Sequence, residues 1–124
     1  MKEYTVKVYE DRTEWFLNGK YHREDGPAVE YANGSKVWYL NGKRHREDGP
    51  AIEYLGGHKV WYLHGKMHRE DGPAIECADG SKAWYLNGKK YTKAEFIVKT
   101  PVKEMTMEEL CKELGRTIKI IKKS

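Results

Sequence analysis

Along residues 14–89 the apolar positions fall into short runs separated by polar stretches that carry glycine. In the stretch Lys36–Leu40 (KVWYL) and again in Pro50–Tyr54 (PAIEY), a run has the length and the β-branched and aromatic content of a strand. Neither leaves room for a useful helix between its flanking glycines. Both faces of Val37-Trp38-Tyr39-Leu40 are apolar, whereas Ala51 and Glu53 set against Ile52 and Tyr54 make a half-polar strand. The runs recur: Trp15, Trp38, Trp61 and Trp84 stand 23 residues apart each time. Aligned on them, residues 14–36, 37–59 and 60–82 are near-identical, and residues 83–96 form a truncated fourth unit. Near-identity at a fixed period marks a repeat architecture.

The punctuation between runs predicts how they connect. Asn33-Gly34 and Asp79-Gly80 are the preferred residues of two-residue hairpin turns, in which both central residues take positive φ. The other connection, Asn41 to Gly49, is longer and holds His-Arg-Glu-Asp. Each unit therefore reads as a β-hairpin, and successive hairpins as one antiparallel meander. The expected fold is mainly β, an antiparallel hairpin repeat array with a small C-terminal cap of helix and strand.

Both ends read as caps. In residues 1–13, Tyr4, Val6 and Val8 alternate with Thr5, Lys7 and Tyr9, which predicts a capping strand over 4–9 paired with the first Trp strand. Thr92 and Glu95 fit a capping box and predict a short helical turn. Within 97–124, Thr106 and Glu109 repeat that box, with Met105 and Leu110 at the staple positions. Met107, Leu110, Cys111 and Leu114 then share one face, and Gly115 ends a helix of about 107–114. Ile118 and Ile120 predict a last strand, with Lys119, Lys122 and Lys123 as a solvated edge that discourages further pairing.

The Trp followed by Asn41, Gly42, Lys43 and His45, and the Tyr-x-x-Gly-x-Lys close of the unit, resemble the MORN repeat, a family of 23-residue hairpin units. The resemblance covers residues 14–89, about three-fifths of the chain. The departure is an insertion, Arg46-Glu47-Asp48-Gly49-Pro50, where such units run directly into Gly-x-Gly. The match is nearest to variant repeats of small bacterial and bacteriophage proteins. It implies a platform for protein interaction or dimerisation, a role some members extend to membrane lipids.

Composition narrows the partners. The chain of 124 residues has nine Tyr and four Trp, which suits a pleated surface, and twelve Gly, which suits many turns. Its net charge of +4 invites a nucleic-acid reading, but residues 1–89 hold 14 Lys and Arg against 14 Asp and Glu. A polyanion groove along the array would need a surplus there, so nucleic acid along the array is not expected. The basic tail has too few clustered charges for stable membrane anchoring. No apolar run approaches the roughly 20 residues that span a bilayer. The start has no apolar signal region, and Cys77 and Cys111 suit a reducing compartment. The expected setting is the cytoplasm of a bacterium or a phage-infected host cell.

The candidate chemistry lies in HREDGPA, which occurs at 22–28, 45–51 and 68–74. As a corner, Asp48 accepts from the backbone, Gly49 supplies an unusual φ and Pro50 opens a strand. Arg46 then pairs with a carboxylate of its own or the neighbouring unit, roughly 9–10 Å away at two strands per unit, and stacks on a Trp. As a site, the row Arg23, Arg46 and Arg69, with His22, His45 and His68 beside them, would meet an acidic partner or a phosphorylated or nucleotide ligand. His22, His45 and His68 are held too far apart by the repeat to converge on one metal ion, so no metal or other cofactor is expected. Three identical constellations on a regular surface lack a deep pocket, so no catalytic residue is assigned and no enzyme is expected. The stripe Phe16, Tyr39, Tyr62 and Tyr85 is expected to stay partly exposed as an interaction face. Cys77, in the place of Tyr31 and Tyr54, reads as a small buried hydrophobe, and His64 as a turn residue.

The function these readings favour is a non-enzymatic module that binds a protein partner or self-associates through its β-repeat surface. The alternative is a phage-encoded inhibitor of bacterial immunity that sequesters a nucleotide signal or blocks a defence protein.

Overall fold

The computed structural model describes residues 2–100, together with Glu109 and Lys112. The first unit is preceded by β1 (Tyr4–Val8) and contains β2 (Arg12–Leu17), β3 (Lys20–Tyr21) and β4 (Val29–Tyr31). The second holds β5 (Lys36–Val37), β6 (Tyr39–Leu40), β7 (Lys43–Arg44) and β8 (Ile52–Glu53), and the third repeats it as β9 (Lys59–Val60), β10 (Tyr62–Leu63), β11 (Lys66–Met67) and β12 (Ile75–Glu76). The truncated unit gives β13 (Lys82–Leu86), β14 (Lys89–Tyr91) and α1 (Lys93–Lys99). Strand order β1-β2-β4-β5-β8-β9-β12-β13-β14, with β3 on β2, makes one antiparallel sheet of ten strands. The fold is the mainly β hairpin array that the sequence predicts.

Cross-strand register explains why so thin a sheet holds together. Val29 faces Val37, Val37 faces Ile52, Ile52 faces Val60, Val60 faces Ile75 and Ile75 faces Ala83, one apolar row across the array. One residue along, Glu30, Lys36, Glu53, Lys59, Glu76 and Lys82 stand opposite one another in alternating sign on the other face. Opposed charges stabilise such pairs by about 0.2–1 kcal/mol and like charges destabilise them. Val29, Val37 and Ile52 are buried, with Tyr21, Tyr39, Val60 and Tyr62 packed on them. Burying each Val or Ile is worth roughly 1.5–3 kcal/mol, so a unit with one such residue per strand stands only with neighbours.

The cover over the apolar row comes from small side hairpins, a feature the sequence reading places wrongly. Asn18-Gly19, Asn41-Gly42, His64-Gly65 and Asn87-Gly88 all take positive φ, between 50° and 83°, and close two-residue turns between β2 and β3, β6 and β7, β10 and β11, and β13 and β14. The turn at Asn33-Gly34 has a different form. Tyr31 N–H donates to Ser35 O at 2.9 Å, Gly34 N–H donates back to Tyr31 O at 3.0 Å, and of this pair only Gly34 has positive φ, 98°. Asn33 Oδ1 captures Ser35 N–H at 2.8 Å, which favours a three-residue loop with one left-handed residue. Each unit therefore carries two hairpins, where the sequence predicts one hairpin and a loop. Trp38 is the pivot between them: its N–H donates to Ala51 O in the sheet, and its carbonyl accepts from His45 N–H in the side hairpin.

At the N-terminal end β1 is the strand predicted over 4–9, ending at Val8, and it pairs with the first Trp strand. The capping box also forms: Thr92 accepts from Glu95 N–H at 3.1 Å and Glu95 accepts from Thr92 N–H at 2.8 Å, which starts α1 and seats Phe96 in a buried position. Within the predicted 107–114 helix, Glu109 and Lys112 are helical. The rest of that helix and the Ile118–Ile120 strand lie outside the described residues. Cys77, just past the end of β12, is half-buried where a buried hydrophobe is expected, and the equivalent Tyr31 and Tyr54 are exposed. No helix among the described residues is long and apolar enough to cross a membrane.

The backbone N–H of Thr92 holds the Glu95 carboxyl below its ordinary value. That contribution to α1 is therefore present above the ordinary carboxylate range and is lost as the pH falls through and below it. Amide-exchange protection at Phe96 and Thr100, corrected for intrinsic rate, should fall on acidification in the native chain. Glu95→Gln should lower protection at neutral pH and flatten that dependence.

Candidate functional site

The HREDGPA segment carries the chain from the side hairpin back to the sheet, and its Arg organises the return. Arg46 Nε donates to Asp48 at 2.9 Å, and its Nη1 donates to Pro50 O at 3.1 Å and to Glu53 at 3.2 Å. Its guanidinium lies 3.8 Å from the Trp38 ring centre. Arg23 and Arg69 repeat every contact, with Asp25, Pro27, Glu30 and Trp15 for the first and Asp71, Pro73, Glu76 and Trp61 for the second. All these side-chain partners lie within the Arg's own unit; the link to the next unit is made by its backbone. Arg23, Arg46 and Arg69 donate their N–H groups to Tyr39, Tyr62 and Tyr85 carbonyls at 3.1, 3.1 and 3.2 Å.

The glycine of the motif has a different cause from the one its sequence context suggests. Gly26, Gly49 and Gly72 are absent from the positive-φ positions. A Cβ at Gly49 would instead fall 2.9 Å from Arg46 Cζ, and at Gly26 and Gly72 the distances to the matching Arg are 3.1 and 3.0 Å. The glycine makes room for a guanidinium.

The three His side chains are buried and join units together. His22, His45 and His68 accept at Nδ1 from the backbone N–H of Asn41, His64 and Asn87, each at 2.9 Å and each in the next unit's turn. A bond accepted at Nδ1 places the neutral ring's proton on Nε2. That atom sits 3.5 Å from a carboxylate oxygen of Glu24, Glu47 or Glu70. Lys2 donates to Glu24 and, with His22 second, holds that carboxyl below its ordinary value. Among the described residues no group of three or more His, Cys, Asp or Glu is placed to hold a metal ion.

Phe16, Tyr39, Tyr62 and Tyr85 are half-buried, and the first of them form part of a column over the apolar row. Phe16 stacks on Tyr21 at 4.7 Å, Tyr21 lies 5.0 Å from Tyr39, and the Arg44 guanidinium lies 5.4 Å from the Tyr62 ring. Burial, and then the hydrogen bond to Glu14, push the Tyr21 phenol up. The more exposed aromatics are Tyr9, Tyr31 and Tyr54, beside Leu55, where the strands outrun the side hairpins. A Gly turn just after Tyr31 and Tyr54 is the sequence signal that marks those two; Tyr9 stands before the Glu10-Asp11 turn.

Between successive HRED loops the surface opens into two matching clefts of about 630 and 640 Å³. Trp38 and Leu40 line the first, Trp61 and Leu63 the second, and each is flanked by the loops before and after it. The guanidiniums lie low in these clefts and are spent on internal acceptors. The rims are carboxylates: Glu47 and Asp48 side chains are 82% and 87% exposed. A third cleft, about 310 Å³, follows at Trp84, where the truncated unit has no HRED: Asp71 and Glu76 line one side, and Lys82, Lys93 and Lys112 stand where the next acidic loop would be. The described geometry supplies acidic rims over aromatic surfaces at a regular interval. Compared with protein-family models, curated proteins and solved structures, the chain finds no match.

Two expectations follow for stability. Arg46→Ala should cost about 2 kcal/mol, since charge-assisted bonds and ring stacking are lost together. Gly49→Ala should cost a similar amount by displacing the guanidinium, and the double variant should cost clearly less than the two singles added, as a denaturant-based double-mutant cycle would show. His45→Leu should cost about 1–3 kcal/mol by leaving the His64 N–H without its acceptor. His45→Asn, which keeps an acceptor near the Nδ1 position, should recover part of that loss in thermal unfolding.

Proposed function

We propose that the chain is a non-enzymatic interaction module whose HRED row binds a protein partner through the clefts between successive loops. The observation that carries this reading is the pair of equivalent clefts with exposed carboxylates at the rim and Trp and Leu beneath. The resemblance to MORN repeats supports it from the sequence side. Because Arg23, Arg46 and Arg69 are engaged inside their own units, the complementary partner surface is basic, with Lys or Arg side chains at the spacing of one unit, roughly 9–10 Å. Their stems would lie on the Trp and Leu surfaces while their charges meet the rim.

A second reading, capture of an anionic ligand such as a nucleotide, has one observation in its favour. The cleft at Trp84 combines an aromatic ring with Lys82, Lys93 and Lys112, and Lys93 Nζ is 5.8 Å from that ring's centre. Such a site fits the alternative of a phage inhibitor that sequesters a nucleotide signal, and the inhibitor that blocks a defence protein is one form of the first reading.

Affinity capture from bacterial lysate, read by mass for proteins and small molecules, should recover a basic protein that elutes with salt. Glu47→Lys with Glu70→Lys, both on exposed rim positions, should abolish that capture and leave the melting temperature within about 2 °C of the native chain. Recovery of a nucleotide that the rim variant retains would favour the Trp84 cleft instead.

A further inference from the structure

The outer edge of β1 is unpaired among the described residues, and the register shows which of its backbone groups are free. Trp15 donates its N–H to Ala28 O at 2.7 Å and accepts from His22 N–H at 3.1 Å, so both of its backbone groups turn away from β1. Trp15 stands opposite Val6. Opposed residues in an antiparallel pair exchange both bonds or neither, so Val6 also turns its N–H and C=O outward. At period two, Tyr4 and Val8 do the same. Val6 and Val8 are 42% and 77% exposed, on the face that carries Trp15. The opposite face of this segment bears Glu3, Thr5 and Lys7, with Lys7 Nζ 4.9 Å over the Phe16 ring. An open edge with exposed valines is a template for another strand, and a single lysine is a slight guard.

We propose that the chain forms a two-fold dimer by antiparallel pairing of β1 with β1 of a second copy, Thr5 opposite Thr5. This rests on the reading of the chain as an interaction module and names a second copy of the chain as one partner. In that register Tyr4 of each copy exchanges backbone bonds with Val6 of the other, and Glu3 stands across from Lys7 at two symmetric places. Charge selects the register. A two-fold axis at Lys7 would oppose two ammonium groups. An axis at Val6 sets Lys7 against Thr5 and Glu3 against Tyr9, and one at Tyr4 sets Glu3 against Thr5. Half-step registers would match outward-facing residues with inward-facing ones. Within residues 3–9 the axis at Thr5 alone pairs opposite charges and satisfies the free backbone groups, and the interface is isologous, as a closed two-fold requires.

Sedimentation equilibrium of the full chain tests this over a range of concentrations. The native chain should dimerise reversibly. Glu3→Lys and Lys7→Glu should each weaken association by about tenfold or more, since two cross-strand pairs turn from attraction to repulsion. Mixed in equal amounts, the two variants should associate again, because their heterodimer sets Lys opposite Glu at both places. Val6→Pro, which removes an N–H that has no partner within the sheet, should leave a folded monomer. A native chain that stays monomeric into the millimolar range overturns the proposal, as does a dimer that Val6→Pro leaves intact. Failure of the mixture to recover association overturns it as well. None of these results touches capture of a basic partner by the HRED clefts, which Glu47→Lys with Glu70→Lys reports separately.

Discussion

A chain that leaves a sheet for a two-residue side hairpin must come back to the same sheet within a few residues, and one guanidinium per unit controls that return. Arg46 touches the pivot (Trp38), the loop it sits in (Asp48), the point of re-entry (Pro50 O) and the strand that follows (Glu53). Lys has one ammonium and no plane, and could not lie on a ring while bonding in three directions. The same demand explains the glycine at 49, because a side chain there would occupy the space of the guanidinium. Four residues of the unit, Trp38, Asp48, Gly49 and Glu53, are therefore matched to a single group. Half of the acidic rim is a by-product: Asp48, which orients the Arg from the solvent side, is left exposed once it is held, while Glu47 stands beside His45.

Links between units are of another kind. They run through backbone groups and buried acceptors: His Nδ1 to the next turn's N–H, Arg N–H to the next Tyr carbonyl, and Ser35 Oγ accepting from Leu55 N–H at 2.8 Å. The Arg contacts thus fix each unit's own return, and the neighbour's place is set by these bonds together with the apolar row and the Lys36–Glu53 and Lys59–Glu76 pairs that cross the unit boundary. Interactions reach one unit and stop, which makes stability a sum of local terms along the array. An interior unit has both sets of links, whereas the first leans on β1 and the last on α1.

The repeat length, the N-terminal strand and the capping box at Thr92 are legible in the sequence, since each depends on local pattern alone, whereas the run Lys36–Leu40 reads as one strand and is two, β5 and β6, parted at Trp38. The turns are less legible. Asn-Gly occurs at 33–34 and at 41–42, and which pair closes a two-residue turn depends on Ser35 offering its N–H to the Asn33 side chain. The site is legible in its parts and not in their roles. Gly49 looks like a backbone residue and serves a side chain 2.9 Å away, and His45 looks like a ligand and serves a neighbour's turn. Both facts depend on distances between residues that the pattern cannot place. Tyr31 and Tyr54 are exposed for a similar reason, because the cover they lack is a side hairpin whose extent is set by the turn at Asn41-Gly42.

The clefts arise between loops, not within them, so three HRED loops enclose two. Inserting or deleting one 23-residue block at any internal boundary would meet the same neighbours through the same atoms and change the cleft number by one. For the interaction proposed, valency is thus an inherited length: modest contacts to a repetitive partner multiply with the number of blocks, with no new contact to invent.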